Sequence, residues 1–316
     1  GKRISGSDRR HERSHGTAMT SGYLLQQLAN GVVLGSLYAL VAVGFTMIYG
    51  IVRLINFAHG DIMMVGAFAA FALFGVLGLP LAVALVAVLA LGAVLAMLID
   101  LVAFRPQRGA PQVNGFITSL GVSILMQNLA ILLLSGQPRP FNLPGWMRGN
   151  VYLPSVRVTV LDVTIVLITL AILIALMAFV QRTRLGAAMR ATAENPLAAS
   201  LMGIRINRAI ATAFGVGGAL AAVAGVFWAG RAGQIEPLMG FVPGLKAFVA
   251  AVIGGVGSLP GAVLGGFLLG FAEVLFVGLL PPAYGAYRDA FVFGLLILVL
   301  LVLPNGLLGR PAEERA

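Results

Sequence analysis

The stretch GAAMRATAENPLAASLMGIRINR, residues 186–208, is polar and basic, unlike the apolar sequence on both sides of it. The whole chain is 59% hydrophobic and only 10% charged, whereas soluble globular proteins carry about 25% charged residues. A chain this apolar cannot cover a water-facing surface, so the composition predicts an integral membrane protein. The stretch 186–208 is then a long segment outside the lipid, and its own sequence indicates what it does.

This segment is predicted to contain one short helix. Asn195 followed by Pro196 is typical of a helix start, with Asn as the N-cap, and Gly203 suits the position that ends a helix. The intervening PLAASLM has no charge, and so short a helix is marginal alone in water. We expect it to dock into a groove of a cytoplasmic partner; the alternative is an interfacial helix lying on lipid. The residues assigned to this docking surface are Arg190, Glu194, Asn195, Pro196, Ala198, Leu201 and Gly203.

The rest of the chain reads as membrane-spanning helices, each needing about 20 apolar residues. Nine segments qualify, but the seventh is short and rich in glycine, so the expected count is eight or nine. The predicted fold class is an all-α integral membrane protein with broken helices. The candidate spans are residues 24–50, 62–79, 81–103, 116–135, 161–180, 209–230, 244–256, 260–280 and 289–304.

The distribution of arginine sets the expected orientation, because cytoplasmic loops carry more Lys and Arg. Placing loop 181–208 in the cytoplasm also places 51–61 and 104–115 there, and that side then holds most of the arginines. Loop 136–160, which contains four prolines, becomes periplasmic, and Lys246 lies at the edge of an outer loop. The net charge of +10 is therefore attributed to topology-setting loops and not to nucleic-acid binding.

The first residues differ in kind from the remainder. Residues 1–18 are polar and basic, and we interpret them as a foreign leader or an upstream extension, with 19–316 forming one transmembrane domain. The leader contains an H-E-x-x-H match from His11 to His15, to which we assign no metal site because its context is a polar tail. The chain has no cysteine and no G-x-x-x-x-G-K-[ST] phosphate loop, so it lacks thiolate ligands and an ATP site of that kind.

Polar residues gather in RLINFAHGD, residues 53–61, between two apolar segments. Transporters often place a broken helix along the substrate path, where freed backbone groups line a cavity. On that interpretation Asn56, His59 and Gly60 are substrate-pathway candidates. The alternative is an ordinary interfacial loop in which Asp61 caps the second span.

Glu273 is a further pathway candidate. It lies about two-thirds along its span, and an ionised carboxylate in a membrane is costly and functional by default. The alternative is a structural hydrogen bond to a neighbouring span or subunit. The glycines before it recur every fourth residue, which predicts close helix packing. They are Gly257, Gly261 and Gly265, with a second pair at Gly266 and Gly270.

Four blocks of sequence occur together in this chain. They are NGVVLGSLYALVAVGFTMIYGIVRLINFAHGDIMMVGAF (30–68), RTRLGAAMRATAENPLAASLMGI (182–204), KAFVAAVIGGVGSLPGAVLGGFLLGFAE (246–273) and LVLPNGLLGRP (301–311). Together they resemble the branched-chain amino acid permease family of ABC importers, LivH-type, over essentially all of residues 20–311. Residues 1–18 have no counterpart in the resemblance.

The resemblance implies a transport subunit of the bacterial inner membrane that is not itself an enzyme. It implies a second homologous permease, two ATPase subunits that bind ATP and Mg, and a periplasmic solute-binding protein as partners. This chain would bind no cofactor and would contact membrane lipid. The implied substrate is leucine, isoleucine, valine or a related solute, and the implied role of the docking helix is coupling to the ATPase.

Three other functions stay open from the residues. A permease of the same architecture could import urea, amides or other small solutes. An intramembrane enzyme would need a nucleophile and base inside the spans, which this chain supplies poorly. An ion-driven carrier or channel would work without ATPase subunits and leaves the docking helix unexplained.

Overall fold

The computed structural model describes residues 6–153 and 156–309, which form a bundle of helices with a few short strands. The helices are α1 (Gly6–Val52), α2 (Ala58–Ala70), α3 (Leu81–Ile99), α4 (Gln112–Leu134), α5 (Val160–Arg182), α6 (Arg184–Glu194), α7 (Pro196–Leu201), α8 (Ile206–Ala232), α9 (Phe241–Gly254), α10 (Leu259–Leu279) and α11 (Arg288–Val302). The strands are β1 (Arg139–Pro140), β2 (Asn150–Leu153), β3 (Val156–Thr159) and β4 (Gln234–Ile235).

The predicted membrane class is confirmed. Within the described ranges, eight helical segments are long and apolar enough to cross a membrane. This count includes the π-helical continuation of α2 to Val76 and the 3₁₀ turn that leads into α11 from Ala283. The seventh candidate of the sequence corresponds to α9, a 14-residue apolar helix that is too short for a full crossing. The expectation of eight or nine spans thus becomes eight long helices and one short one. The proposed boundary between residues 18 and 19 falls inside α1 and stays a prediction, and residues 1–5 lie outside the described part.

Helix α1 is the centre of the bundle. It packs along α10 and against α8, and its side chains from Leu37 to Val43 are almost completely buried. Helices α4 and α11 lie at the periphery, and most of their side chains face outward. Because lipid tails are as apolar as leucine, hydrophobicity alone does not decide which helices are central. Small residues that allow close backbone contact are concentrated where the central helices meet.

The glycines of α10 allow close packing against two neighbouring helices, α9 and α1. A Cβ added at Gly265 would lie less than 3.0 Å from the carbonyl oxygen of Ala250 in α9. A Cβ at Gly266 would lie less than 3.0 Å from the backbone of Ala39 in α1. The predicted close packing is therefore present, and adjacent glycines direct α10 against α9 on one side and α1 on the other.

The proline-containing loop 136–160 contributes strands to two short antiparallel pairs. Strands β2 and β3 form an antiparallel hairpin in which Val151 is paired with Val158. Strand β1 pairs with β4, which ties this loop to the segment after α8. The sequence leaves the internal structure of this loop open, and β-branched residues such as Val151, Val156 and Val158 favour extended strands. Its periplasmic location stays a prediction.

Candidate functional site

The short helix α7 has the ends that its sequence predicts. The side-chain oxygen of Asn195 accepts a hydrogen bond from the backbone N–H of Ala198 at 3.0 Å, and Pro196 occupies the first helical position. Gly203 has a φ of +80°, a left-handed conformation that suits glycine at a helix end. The boundaries of α7 are thus fixed by residues within the segment itself.

Helix α7 presents its apolar side chains outward. Leu197, Leu201 and Met202 are 72%, 81% and 83% exposed, and Ala198 is exposed as well. The preceding helix α6 differs, because it buries Met189 and other residues against the bundle. The outer surface of α7 therefore has no partner within the described chain, as a docking surface requires.

Two charged residues assigned to this surface play different parts. The guanidinium of Arg190 donates to the carbonyl oxygen of Val180 at the end of α5, so it holds α6 against its own chain. Glu194 is exposed at the last position of α6. Arg190 is exposed as well, so both side chains are accessible to a partner.

Replacing Asn195 with alanine should destabilise α7 by about 1 kcal/mol, because the substitution removes the acceptor for the Ala198 N–H. Replacing it with serine should retain most of the cap. Amide hydrogen exchange across residues 196–203 measures the difference, and the alanine variant should exchange about fivefold faster than the serine variant. Equal exchange in the two variants would contradict the capping role.

A break between α1 and α2 creates a second candidate site. Residues 53–57 are not helical, and Arg53 has a φ of +55°. Asn56 and His59 are buried, and their side-chain nitrogen and oxygen atoms have no hydrogen-bond partner among the described protein atoms. The predicted broken helix is therefore present. Buried polar atoms without partners are rare in folded proteins and mark a place where another group can bind.

Asp61 and Gly60 have structural contacts at this break. Asp61 is buried and accepts a hydrogen bond from Gln127 of α4 at 2.9 Å. The alternative in which Asp61 caps a helix was wrong, because α2 begins after Phe57 with no side-chain cap. A Cβ at Gly60 would lie less than 3.0 Å from the carbonyl oxygen of Gly240, so Gly60 is a close-packing position next to α9.

Glu273 lies in a cluster of charged residues from α9, α10 and α11, in which only Lys246 and Glu273 are buried. Its Oε1 accepts from Lys246 Nζ at 2.8 Å, and its Oε2 accepts from Tyr38 Oη at 2.7 Å. Arg288 Nε is 3.1 Å from Glu273 Oε1, and Lys246 Nζ is 2.7 Å from Asp289 Oδ1. The side chains of Lys246 and Glu273 are each 3% exposed. Sequence reasoning identified Glu273 but placed Lys246 at a loop edge, and that placement was wrong.

The charged cluster borders a cavity of about 350 Å³. The cavity lies where α8 ends, so it is at the opposite end of that helix from α7. Its remaining wall is mostly apolar and aromatic. The lining residues outside the cluster are Leu34, Tyr38, Trp228, Ala232, Gln234, Glu236, Leu238, Met239, Val242 and Pro243.

Comparison with known proteins gives consistent matches. A family model described as "Branched-chain amino acid transport system / permease component" matches residues 27–300. The high-affinity branched-chain amino acid transport system permease protein BraD of Pseudomonas aeruginosa is 42% identical, covering 93% of this chain and 98% of that protein. The corresponding protein LivH of Escherichia coli K12 is 43% identical with the same coverage. A solved structure, PsaBC from Streptococcus pneumoniae in complex with Fab, matches with a TM-score of 0.48 and 16% identity, covering 90% of this chain and 92% of that chain.

Proposed function

This chain belongs to the family of permease components of branched-chain amino acid transport systems, and we propose that it is the permease subunit of an ABC importer for branched-chain or closely related amino acids. Its apolar helices and its relatives make it a multi-pass protein of the inner membrane. In this proposal the chain catalyses no reaction. ATP is bound with Mg and hydrolysed on two partner ATPase subunits.

The observation that carries the coupling role is the outward apolar surface of α7. Leu201 and Met202 are more than four-fifths exposed in a segment outside the membrane-spanning helices. A small apolar helix of this kind fits a groove on another protein, where its side chains can be desolvated. We assign that groove to an ATPase subunit. The second homologous permease and a periplasmic solute-binding protein complete the proposed complex.

Helix α8 connects the docking helix α7 with the cavity in this mechanism. Four residues, 202–205, connect it to α7, and its other end lines the cavity through Trp228. It is also one of the most buried helices of the bundle, so a displacement at its start must move its neighbours. ATP shifts the transporter between inward-open and outward-open states only through different affinities for those states.

The proposed substrate path uses the buried polar groups of the helix break and the cavity beside Glu273. Asn56 and His59 supply buried donors and acceptors at the helix break, and Glu273 borders the cavity. Gly60 contributes by letting α9 approach the break closely. Transporters place substrate sites at such discontinuous helices, because freed backbone groups there can face a cavity.

Uptake of radiolabelled leucine into proteoliposomes tests the proposal. The vesicles contain this chain, its partner permease and both ATPase subunits, and the binding protein with leucine is added outside. We expect accumulation that requires ATP and the binding protein, and none in vesicles whose ATPase subunits cannot hydrolyse ATP. Accumulation without ATP would identify an ion-driven carrier. ATP-dependent uptake of urea or an amide, with no uptake of leucine, would change the substrate and keep the architecture.

A further inference from the structure

The cavity beside Glu273 combines two opposite charges with an apolar wall. Lys246 and Glu273 are both almost fully buried, and their charged atoms are 2.8 Å apart. Within the described residues, Lys246 is the only lysine or arginine among the buried side chains. The chain as a whole contains just one other lysine, Lys2. A lysine carries a compact charge on a flexible stem, so it can move between partners more easily than an arginine.

The four charged residues of the cluster balance one another. Lys246 and Arg288 are positive, and Glu273 and Asp289 are negative, so these four are neutral together. A further carboxylate, Glu236, also lines the cavity. Arg288 and Asp289 lie at the start of α11 with about half of each side chain exposed. The cluster therefore has a rigid buried half and an accessible half that can rearrange.

We propose that this cavity binds the charged backbone of a free α-amino acid, with Lys246 taking the carboxylate and Glu273 the ammonium group. The inference rests on the proposed function for its substrate class. An amino acid at neutral pH carries one positive and one negative charge. When it enters, each buried charge exchanges one protein partner for one ligand partner, and neither remains uncompensated, which is the condition for a tolerable buried ion pair.

The apolar wall suits an apolar side chain. Leu34, Met239 and Val242 line the cavity together with the charged groups, and Trp228 packs with Tyr38 at a ring distance of 5.7 Å. The volume of about 350 Å³ falls at the small end of ligand sites, which range from about 300 to 1,000 Å³. A single amino acid with an aliphatic side chain is therefore matched in charge, polarity and approximate size.

The helix break offers a weaker match to this ligand. The buried polar groups there are Asn56, His59 and Asp61, and no buried lysine or arginine of the described chain accompanies them. A carboxylate entering that site would meet Asp61 without a fixed cation. We therefore place recognition of the charged backbone in the cavity and assign the break to passage of the substrate.

Direct ligand binding to the complete membrane complex tests the site. The complex is placed in nanodiscs without the binding protein, and binding of radiolabelled leucine is measured in competition with 4-methylpentanoate and 3-methylbutylamine. The first competitor lacks the ammonium group and the second lacks the carboxylate. We expect leucine to bind at least about tenfold more tightly than either competitor, because each competitor leaves one buried charge without its ligand contact.

The variants give the site a signature that a purely structural role would not produce. Glu273→Gln should weaken leucine binding about tenfold or more and reduce the preference for leucine over 4-methylpentanoate. Lys246→Met should instead reduce the preference for leucine over 3-methylbutylamine. Arg108→Met is the matched control, because it removes the ion pair with Asp100 at 2.5 Å in another part of the bundle. It should leave leucine affinity unchanged.

Two results would overturn the site without touching the proposed function. One is a wild-type complex that imports leucine with its binding protein but shows no leucine binding of its own at millimolar concentration. The other is Glu273→Gln with wild-type affinity, or with the affinities for leucine and 4-methylpentanoate lowered equally. The proposed function fails separately, if the wild-type complex does not import leucine in the uptake assay.

Discussion

Leu201→Asp should weaken association with the ATPase subunits by about thirtyfold or more and abolish ATP-driven uptake, while the membrane bundle stays folded. Leu201 is 81% exposed, so its side chain contributes little to the packing of its own chain. Surface substitutions of that kind usually change stability by no more than about 0.5 kcal/mol. In a docked complex the same position is desolvated, and a buried carboxylate without a partner costs far more than a lost leucine contact.

Co-purification of the ATPase subunits with the tagged chain measures this effect. Leu201→Met should retain association, because it keeps an apolar side chain of similar volume. Val151→Asp provides a matched control, since Val151 is 42% exposed in the hairpin at the other end of α5. A Leu201→Asp chain that co-purifies with the ATPase and supports normal uptake would refute α7 as the coupling element. Thermal unfolding of each purified chain checks that the variants are folded.

The sequence was sufficient for α7 because everything that determines this helix is local. Asn195, Pro196 and Gly203 lie within nine residues of one another, and each acts on the backbone of the same short helix. The long spans were predictable for a similar reason, since hydropathy over about 20 residues decides whether a segment enters the bilayer.

Contacts between distant segments were not predictable in this way. Lys246 and Glu273 are 27 residues apart on different helices, and no periodicity in either segment relates them. The sequence placed the lysine at the edge of an outer loop, but it lies in the second turn of α9 with its side chain only 3% exposed. A lone lysine and a lone glutamate in successive apolar segments were the available signal, because buried charges need partners.

The helix break was predictable only in part. A cluster of Asn, His and Asp between apolar segments indicated an interruption, and residues 53–57 confirm it. The partner of Asp61 lies 66 residues further along, at Gln127 of α4. Side-chain amides in spans suggest interhelical hydrogen bonds, but a single sequence does not say which carboxylate receives them.

Gly265→Val should destabilise the chain by roughly 3 kcal/mol and reduce the yield of folded protein, because α10 and α9 are in backbone contact at this position. A Cβ at Gly265 would come within 3.0 Å of the carbonyl oxygen of Ala250, and a backbone atom cannot rotate away as a side chain can. The two helices must separate to admit valine. That separation also displaces α9, which carries Lys246, so leucine binding should fall together with stability.

Gly121→Val in α4 is the control for Gly265→Val. It separates the effect of the α10–α9 contact from the effect of replacing a helical glycine with valine. Apart from the backbone of its own helix and its chain neighbours, no atom of the described residues lies within 4 Å of a Cβ added at Gly121. Valine is also a better helix former than glycine by a few tenths of a kcal/mol. Thermal unfolding in detergent should therefore give Gly121→Val a midpoint equal to or above that of wild type, with Gly265→Val well below it. If both variants unfold at the wild-type temperature, α10 and α9 do not pack as closely as the contact between Gly265 and Ala250 requires. Because Lys246 reaches Glu273 only when these helices are in contact, that result would also remove the geometric basis of the charged cluster.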